Sequence, residues 1–81
     1  MIGRVASMVR RIERAVFERE MLDDRVRRHP LLALATLARW RAYRADLRVV
    51  RLLAEADRMG ASNAARAAAA AGMHRYHEDM L

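Results

Sequence analysis

Arginines recur at helical spacing along the middle of the chain. They are Arg41, Arg44, Arg48 and Arg51, and Glu55 continues the row. On a helix this spacing places the side chains on one face, over a length of about 15 Å. A guanidinium forms paired hydrogen bonds with carboxylates and phosphates. The row therefore predicts contact with a phosphate backbone or an acidic partner, or else a solvated face with an Arg51–Glu55 ion pair.

Aromatic and aliphatic residues follow the same segment on a different face. Trp40, Tyr43, Leu47 and Val50 recur at three- and four-residue steps, and Ala54 continues the row. Aromatic side chains dominate the energetics of protein interfaces. We therefore expect the first four residues to anchor a protein partner. The arginines predicted to flank this anchor and to orient the partner are Arg44, Arg48 and Arg51.

Histidines and acids meet near the C-terminal end. His74, His77 and Glu78 fall within about one helical turn, a spacing at which side chains can share a metal ion. Two or three ligands make an incomplete site, and histidines near a helix C-terminus also interact favourably with the helix dipole. We therefore expect neither a bound metal nor another cofactor.

Residues able to catalyse covalent chemistry are scarce. The chain has no cysteine, and its hydroxyl residues of the serine and threonine types are Ser7, Ser62 and Thr36. Neither Ser7 nor Thr36 has a histidine nearby in sequence, and Ser62 is better placed as a helix cap. A small helical chain also has little concavity from which to exclude water. The sequence therefore predicts no enzymatic activity and no small-molecule substrate.

The C-terminal segment resembles a DNA-binding motif. The residues that carry the resemblance are Asn63, Ala67, Ala68, Gly72, Met73 and Arg75. Over residues 62–81 this pattern is similar to the helix-turn-helix of the Fis-type family. The resemblance implies a turn at Gly72 and a recognition helix that opens just after it. The DNA contacts that it implies are Asn63, Arg66, His74, Arg75 and Tyr76.

One departure from that family concerns the recognition helix. The family usually places a buried leucine where this chain has Glu78, and Asp79 follows. Both acids would be repelled by phosphates if they lay at DNA.

Proline and glycine divide the chain into three helices. The proline is Pro30, and the glycines are Gly3, Gly60 and Gly72. No segment alternates with period two, which favours an all-α chain. The predicted helices are helix one over about 3–28, helix two over about 30–59 and helix three over about 62–79, broken near Gly72. We expect one domain over 1–81, a small helical bundle or a helical hairpin with two long helices and a short C-terminal helical segment.

Apolar residues show which faces of these helices should pack. Helix one has a stripe made of Ile2, Val5, Met8, Val9, Ile12, Ala15 and Val16, and it could bend or stop early near Asp23. Helix two has a heptad seam made of Leu31, Ala35, Ala38, Ala42, Ala45, Val49, Leu52, Ala56 and Met59. Because the Trp40 row lies on roughly the opposite side, helix two should have two neighbours. One is helix one, and the other is helix three, a second copy or another protein.

Composition limits the class of protein. The 81 residues have a net charge of +6 and a pI of about 11.4, and all 16 basic residues are arginine. Hydrophobic residues make up 54%, too many for a disordered chain. There is no run of about 18 apolar residues, so no transmembrane helix is expected. The N-terminal segment does not resemble a signal peptide, and we expect a cytoplasmic protein of a bacterium or its virus.

Three kinds of function fit these patterns. The sequence favours a small, non-enzymatic, basic α-helical interaction protein, an accessory subunit, adaptor or regulator that binds a protein partner or itself. The alternative is a small helix-turn-helix transcriptional regulator that binds DNA, with strongly salt-dependent affinity. A third is a peripheral membrane protein in which the stripe of helix one lies on an anionic lipid surface.

Overall fold

The chain folds into three α-helices. A computed structural model describes residues 2–28 and 33–80. The helices are α1 at Ile2–Arg28, α2 at Ala33–Arg58 and α3 at Ser62–Met80. No strand occurs in these two ranges, and the predicted all-α class is confirmed. The predicted start of helix two at Pro30 and the seam residue Leu31 lie outside the described residues, as does the side chain of Ala35.

Helix α1 lies between the other two helices. It packs along α2 on one side and along α3 on the other, whereas α2 and α3 contact each other little. The Cα trace measures 46 × 26 × 16 Å. A closed triangle of helices spaced 8–10 Å apart would measure roughly 15 Å in both short directions. The arrangement is therefore flat and open, and the sides of α2 and α3 that face away from α1 are not covered by the rest of the described chain.

The core between the helices is small and rich in alanine. It contains Met8, Ile12, Ala15 and Val16 of α1, Val49, Leu52 and Ala56 of α2, and Ala65 and Ala68 of α3. Among the described residues, the large side chains that are fully buried are Ile12, Val16 and Val49. The central parts of the predicted stripe and of the predicted seam are thus confirmed as core. Val5 and Met59, at the ends of these patterns, are exposed.

A tight turn joins α2 to α3. Gly60 has a φ of 72°, in the left-handed region that glycine adopts readily after the end of a helix. The amide of Ala61 donates to the carbonyl of Ala56 at 2.8 Å, and the amide of Gly60 donates to the carbonyl of Asp57 at 3.0 Å. This pair of bonds is a Schellman motif. The Ser62 hydroxyl donates to the Asp57 carboxylate at 2.6 Å. This bond joins the end of α2 to the start of α3, and Ser62 does not cap α3 as the sequence predicts.

Helix α3 continues through Gly72, where the sequence predicts a break. A Cβ atom at this position would lie 2.6 Å from the carbonyl oxygen of Glu13 and 3.0 Å from the Cβ of Val16. Gly72 therefore allows α3 to approach the α1 backbone, and the alanines before it maintain the helix. The predicted break near Gly72 is wrong, and the turn that the Fis-type resemblance implies there is not formed. Helix α1 likewise continues past Asp23 without the early stop that we considered.

Aromatic and charged contacts fix α3 on α1 beyond Gly72. The rings of Phe17 and Tyr76 lie 5.6 Å apart at 76°, an edge-to-face contact. The guanidinium of Arg75 lies 5.9 Å from the centre of the Phe17 ring and 3.6 Å from the Glu13 carboxylate. Phe17 lies outside the predicted stripe of α1, and its ring contacts α3.

The phenol of Tyr76 gives this contact a pH dependence. Burial raises the pKa of Tyr76 above its ordinary value, and the Asp24 carboxylate adds to the shift. Because the pKa of Tyr76 is higher in the folded chain than in the unfolded chain, the phenol's contribution to stability is fully present below about pH 10. It is lost as the pH rises through the folded pKa.

We therefore expect the free energy of unfolding to fall above about pH 10, and to fall less steeply in Tyr76→Phe. Urea denaturation at a series of pH values measures this difference. Tyr43→Phe is the control, because the Tyr43 ring is exposed on α2. If the free energy of unfolding falls with pH as steeply in Tyr76→Phe as in the wild type, the phenol does not have the expected role.

A candidate docking surface on α2

The second apolar row of α2 is uncovered. Trp40, Tyr43 and Val50 are 56%, 56% and 54% exposed, and Leu47 is half-buried. The ring centres of Trp40 and Tyr43 lie 6.1 Å apart with the ring planes tilted by 30°. We call these four residues the apolar row. The sequence predicts them on one side of helix two, and the structure brings them together on an accessible side of α2.

This row lies roughly half a turn away from the core face of α2. Ala42, Val49 and Ala56 are buried against α1, and the 100° step per residue places the row on the other side. Helix α3 packs on α1 instead of covering the row. The second neighbour that the sequence predicts for helix two is therefore not α3.

An arginine-rich groove runs beside the row, between α1 and α2. Its volume is about 600 Å³. Arg11 of α1 faces the predicted arginine row of α2 across it. Five arginines and two glutamates line the groove, namely Arg11, Arg41, Arg44, Arg48, Arg51, Glu18 and Glu55. The groove therefore has a local excess of positive charge.

Most of this charge is not balanced by neighbouring acids. Arg48 Nη1 lies 3.4 Å from Glu18 Oε2, in an exposed ion pair of the kind that contributes at most about 1 kcal/mol. Within the described ranges, Arg44 and Arg51 have no carboxylate at salt-bridge distance, and the predicted Arg51–Glu55 pair is not formed. Both guanidiniums are exposed to solvent and available to an incoming carboxylate.

The opposite edge of the row has a different charge. Arg19 of α1 lies 3.6 Å from the Asp46 carboxylate and 3.4 Å from the Glu20 carboxylate. Burial raises the pKa of the nearby Asp23 carboxyl, and the charge of Glu20 raises it further. This edge thus gathers acids around Arg19 of α1, whereas Arg44 and Arg51 on the groove side have no acid at salt-bridge distance in the described chain.

The residues proposed from the Fis-type resemblance are divided between surface and interior. Asn63, Arg66 and His74 are exposed on α3. Arg75 instead binds Glu13, and Tyr76 is buried against Phe17. All five lie on one continuous helix. The structure therefore does not bring them together as the start of a separate recognition helix.

The histidine cluster of α3 and the apolar stripe of α1 were the other candidate features. His74 Nε2 lies 2.9 Å from Glu78 Oε1, and the described chain contains no group of three or more His, Cys, Asp or Glu residues that could hold a metal ion. The α1 stripe considered for a lipid surface is largely buried in the core. Within the described ranges, none of the helices combines the length and apolar character needed to cross a membrane.

Sequence analysis missed two residues of this surface. Leu37 is 50% exposed and adjoins the row three residues before Trp40, so extending the pattern by one step would have found it. Arg11 lines the groove from α1. No sequence signal places it there, because its position opposite α2 depends on how the two helices pack.

Comparison with protein-family models, with curated protein sequences and with solved structures finds no match to this chain. The exposed surface of α2 is therefore the observation from which a function can be inferred.

Proposed function

We propose that this chain is a small, non-enzymatic interaction protein, an accessory subunit, adaptor or regulator, that binds a protein partner through the apolar row of α2. The observation that supports the proposal is the exposure of Trp40, Tyr43 and Val50 together on the side of α2 that faces away from the core.

Exposure of these side chains is unusual for a helix of a small domain. Aromatic side chains bury about 150–250 Å² each when they are covered, and at about 25 cal/mol per Å² that area is a large favourable term. The fold leaves about half of this term unused, because Trp40 and Tyr43 are each 56% exposed and α3 packs on α1. A row of large apolar side chains that the chain does not cover itself is typical of a surface that another protein covers.

The arginines beside the row supply orientation. Arg44 and Arg51 have no ion-pair partner in the described chain, so an acidic group of a bound protein can pair with them without displacing another carboxylate. Charges at the rim of an interface contribute more to association rate and register than to affinity. The row is therefore the anchor of the proposed interface, and the arginines determine how a partner lies on it.

Site-specific crosslinking tests whether this surface meets another protein. A photo-crosslinking amino acid in place of Tyr43 should yield a discrete heteromeric product in the cells from which the protein comes. The same amino acid in place of Arg66, which is exposed on α3, is the matched control and should yield no such product. Equal products at both positions, or none at position 43, would contradict the proposed interface.

Trp40→Ala should abolish most of this binding. A buried aromatic anchor typically contributes at least 2 kcal/mol, so we expect the affinity for the crosslinked partner to fall by about 30-fold or more. Helix content should not change, because the ring is 56% exposed in the free chain. Titration of the purified partner and circular dichroism measure the two effects.

Met73→Ala is the control for this variant, because Met73 is an exposed apolar residue on α3, 40% accessible. It should bind as the wild type does. Unchanged partner binding in Trp40→Ala would show that the row is not the anchor.

A further inference from the structure

We infer that the partner is an acidic amphipathic helix that lies along the apolar row with its carboxylates against the arginines of α2. This inference rests on the proposed function and names the chemistry of the partner.

The spacing of the row fits a helix. The four residues of the row, and Ala54 after them, follow alternating three- and four-residue steps, which is the pattern that one helix contributes to a coiled-coil seam. The span from Trp40 to Ala54 is about 21 Å, so a partner helix of about four turns can cover it. Helix α2 is supported from behind by α1, and the row is thus presented on a packed helix rather than on a loop.

The basic edge of the row has the same periodicity. Arg44, Arg51 and Arg58 recur at heptad intervals beside the row, at the positions where charged residues choose partners in coiled coils. All three are exposed, and in the described parts of the chain none has a carboxylate within salt-bridge distance. A helix with acids along one edge would supply carboxylates for these guanidiniums, and each carboxylate could form a bidentate pair.

A second copy of this chain is a poor complement for the same surface. In an antiparallel two-fold pair, each edge meets its own copy, so the arginine edge faces an arginine edge in every register. In a parallel pair, Arg44 faces Arg39 of the other copy. The acid on that edge, Asp46, already binds Arg19 at 3.6 Å. Charge complementarity therefore favours an acidic partner over self-association.

Two designed peptides test the inference directly. Each is a helix of about 21 residues with leucine along the seam, glutamine along one edge and no aromatic residue. The other edge contains glutamates in the first peptide and lysines in the second. Trp40 is the chain's one tryptophan, so its fluorescence reports when the row is covered. Light scattering of the full chain alone measures self-association.

The acidic peptide should shift Trp40 emission to shorter wavelength and should bind at least ten times more tightly than the lysine peptide. Its affinity should fall several-fold between about 50 mM and about 500 mM NaCl, because the edge charges are screened. In the double variant Arg44→Glu/Arg51→Glu, the preference should reverse toward the lysine peptide. The control Arg10→Glu/Arg66→Glu changes the net charge equally at exposed positions that do not line the groove, and it should keep the wild-type preference.

Four outcomes would overturn the inference. The first is binding of neither peptide, and the second is equal binding of both. The third is a dimer of the full chain that Trp40→Ala dissociates, which would make a second copy the occupant. The fourth is tighter binding of a mixed-sequence DNA duplex, unaffected by Trp40→Ala, which would assign the arginines to phosphates.

The two proposals fail in different ways. If the peptides fail while crosslinking at position 43 still captures a protein, the acidic helix is wrong and the docking surface remains. If crosslinking at position 43 also fails, the docking surface itself is wrong.

Discussion

Replacing Ile12 with alanine is expected to lower the free energy of unfolding by about 2–5 kcal/mol. Ile12 is fully buried in a core to which all three helices contribute, and the other large side chains that are fully buried in it are Val16 and Val49. The remaining core residues are mostly alanines, which cannot extend to fill the cavity. A domain of this size has a total stability of roughly 4–12 kcal/mol, so the substitution removes a large part of it.

Urea denaturation followed by circular dichroism measures this loss. Leu37→Ala is a matched aliphatic truncation at a residue that is 50% exposed, and it should change the free energy by no more than about 0.5 kcal/mol. Equal effects of the two substitutions would show that Ile12 does not occupy the centre of the core.

Gly72→Ala is expected to destabilise the chain by about 1–3 kcal/mol, although helix propensity alone predicts a gain of about 1 kcal/mol. The added Cβ would lie 2.6 Å from the Glu13 carbonyl oxygen, a backbone atom that cannot turn away as a flexible side chain can. Helix α3 must therefore move away from α1, which weakens the contact between Phe17 and Tyr76. Thermal denaturation measures the loss, and the chemical shifts of the two rings report the displacement.

Gly3→Ala separates propensity from packing. Gly3 is also helical and exposed, and a Cβ there would meet nothing within 4 Å. This variant should be neutral or slightly more stable than the wild type. If Gly72→Ala also stabilises the chain, the close approach of α3 to α1 is wrong.

The helices themselves could be predicted closely. Helix one was predicted over about 3–28 and is observed at Ile2–Arg28, and helix three was predicted over about 62–79 and is observed at Ser62–Met80. Helix formation and termination depend on neighbouring residues, such as the left-handed Gly60, which the sequence displays directly. The break near Gly72 was the error. A glycine that permits close packing and a glycine that ends a helix look the same until the partner helix is known.

The residues of the apolar row could be predicted from the sequence, but their exposure could not. Trp40, Tyr43, Leu47 and Val50 share a side of α2 because of the 100° step, whatever the helix packs against. Their accessibility depends on where α3 lies. Helix α3 packs on α1 because Gly72 admits the α1 backbone and Tyr76 meets Phe17, and both contacts join residues far apart in sequence.

Residue types and spacing were enough to specify an all-α chain, the residues that share each helical face and a strongly basic surface with one row of arginines. Each of these properties is set within a few turns of a single helix. The tertiary structure decided that α1 is the central helix, that the Trp40 row remains open and that Arg44 and Arg51 lack carboxylate partners within the described chain. These properties depend on which apolar face meets which helix, and long-range packing resolves that choice.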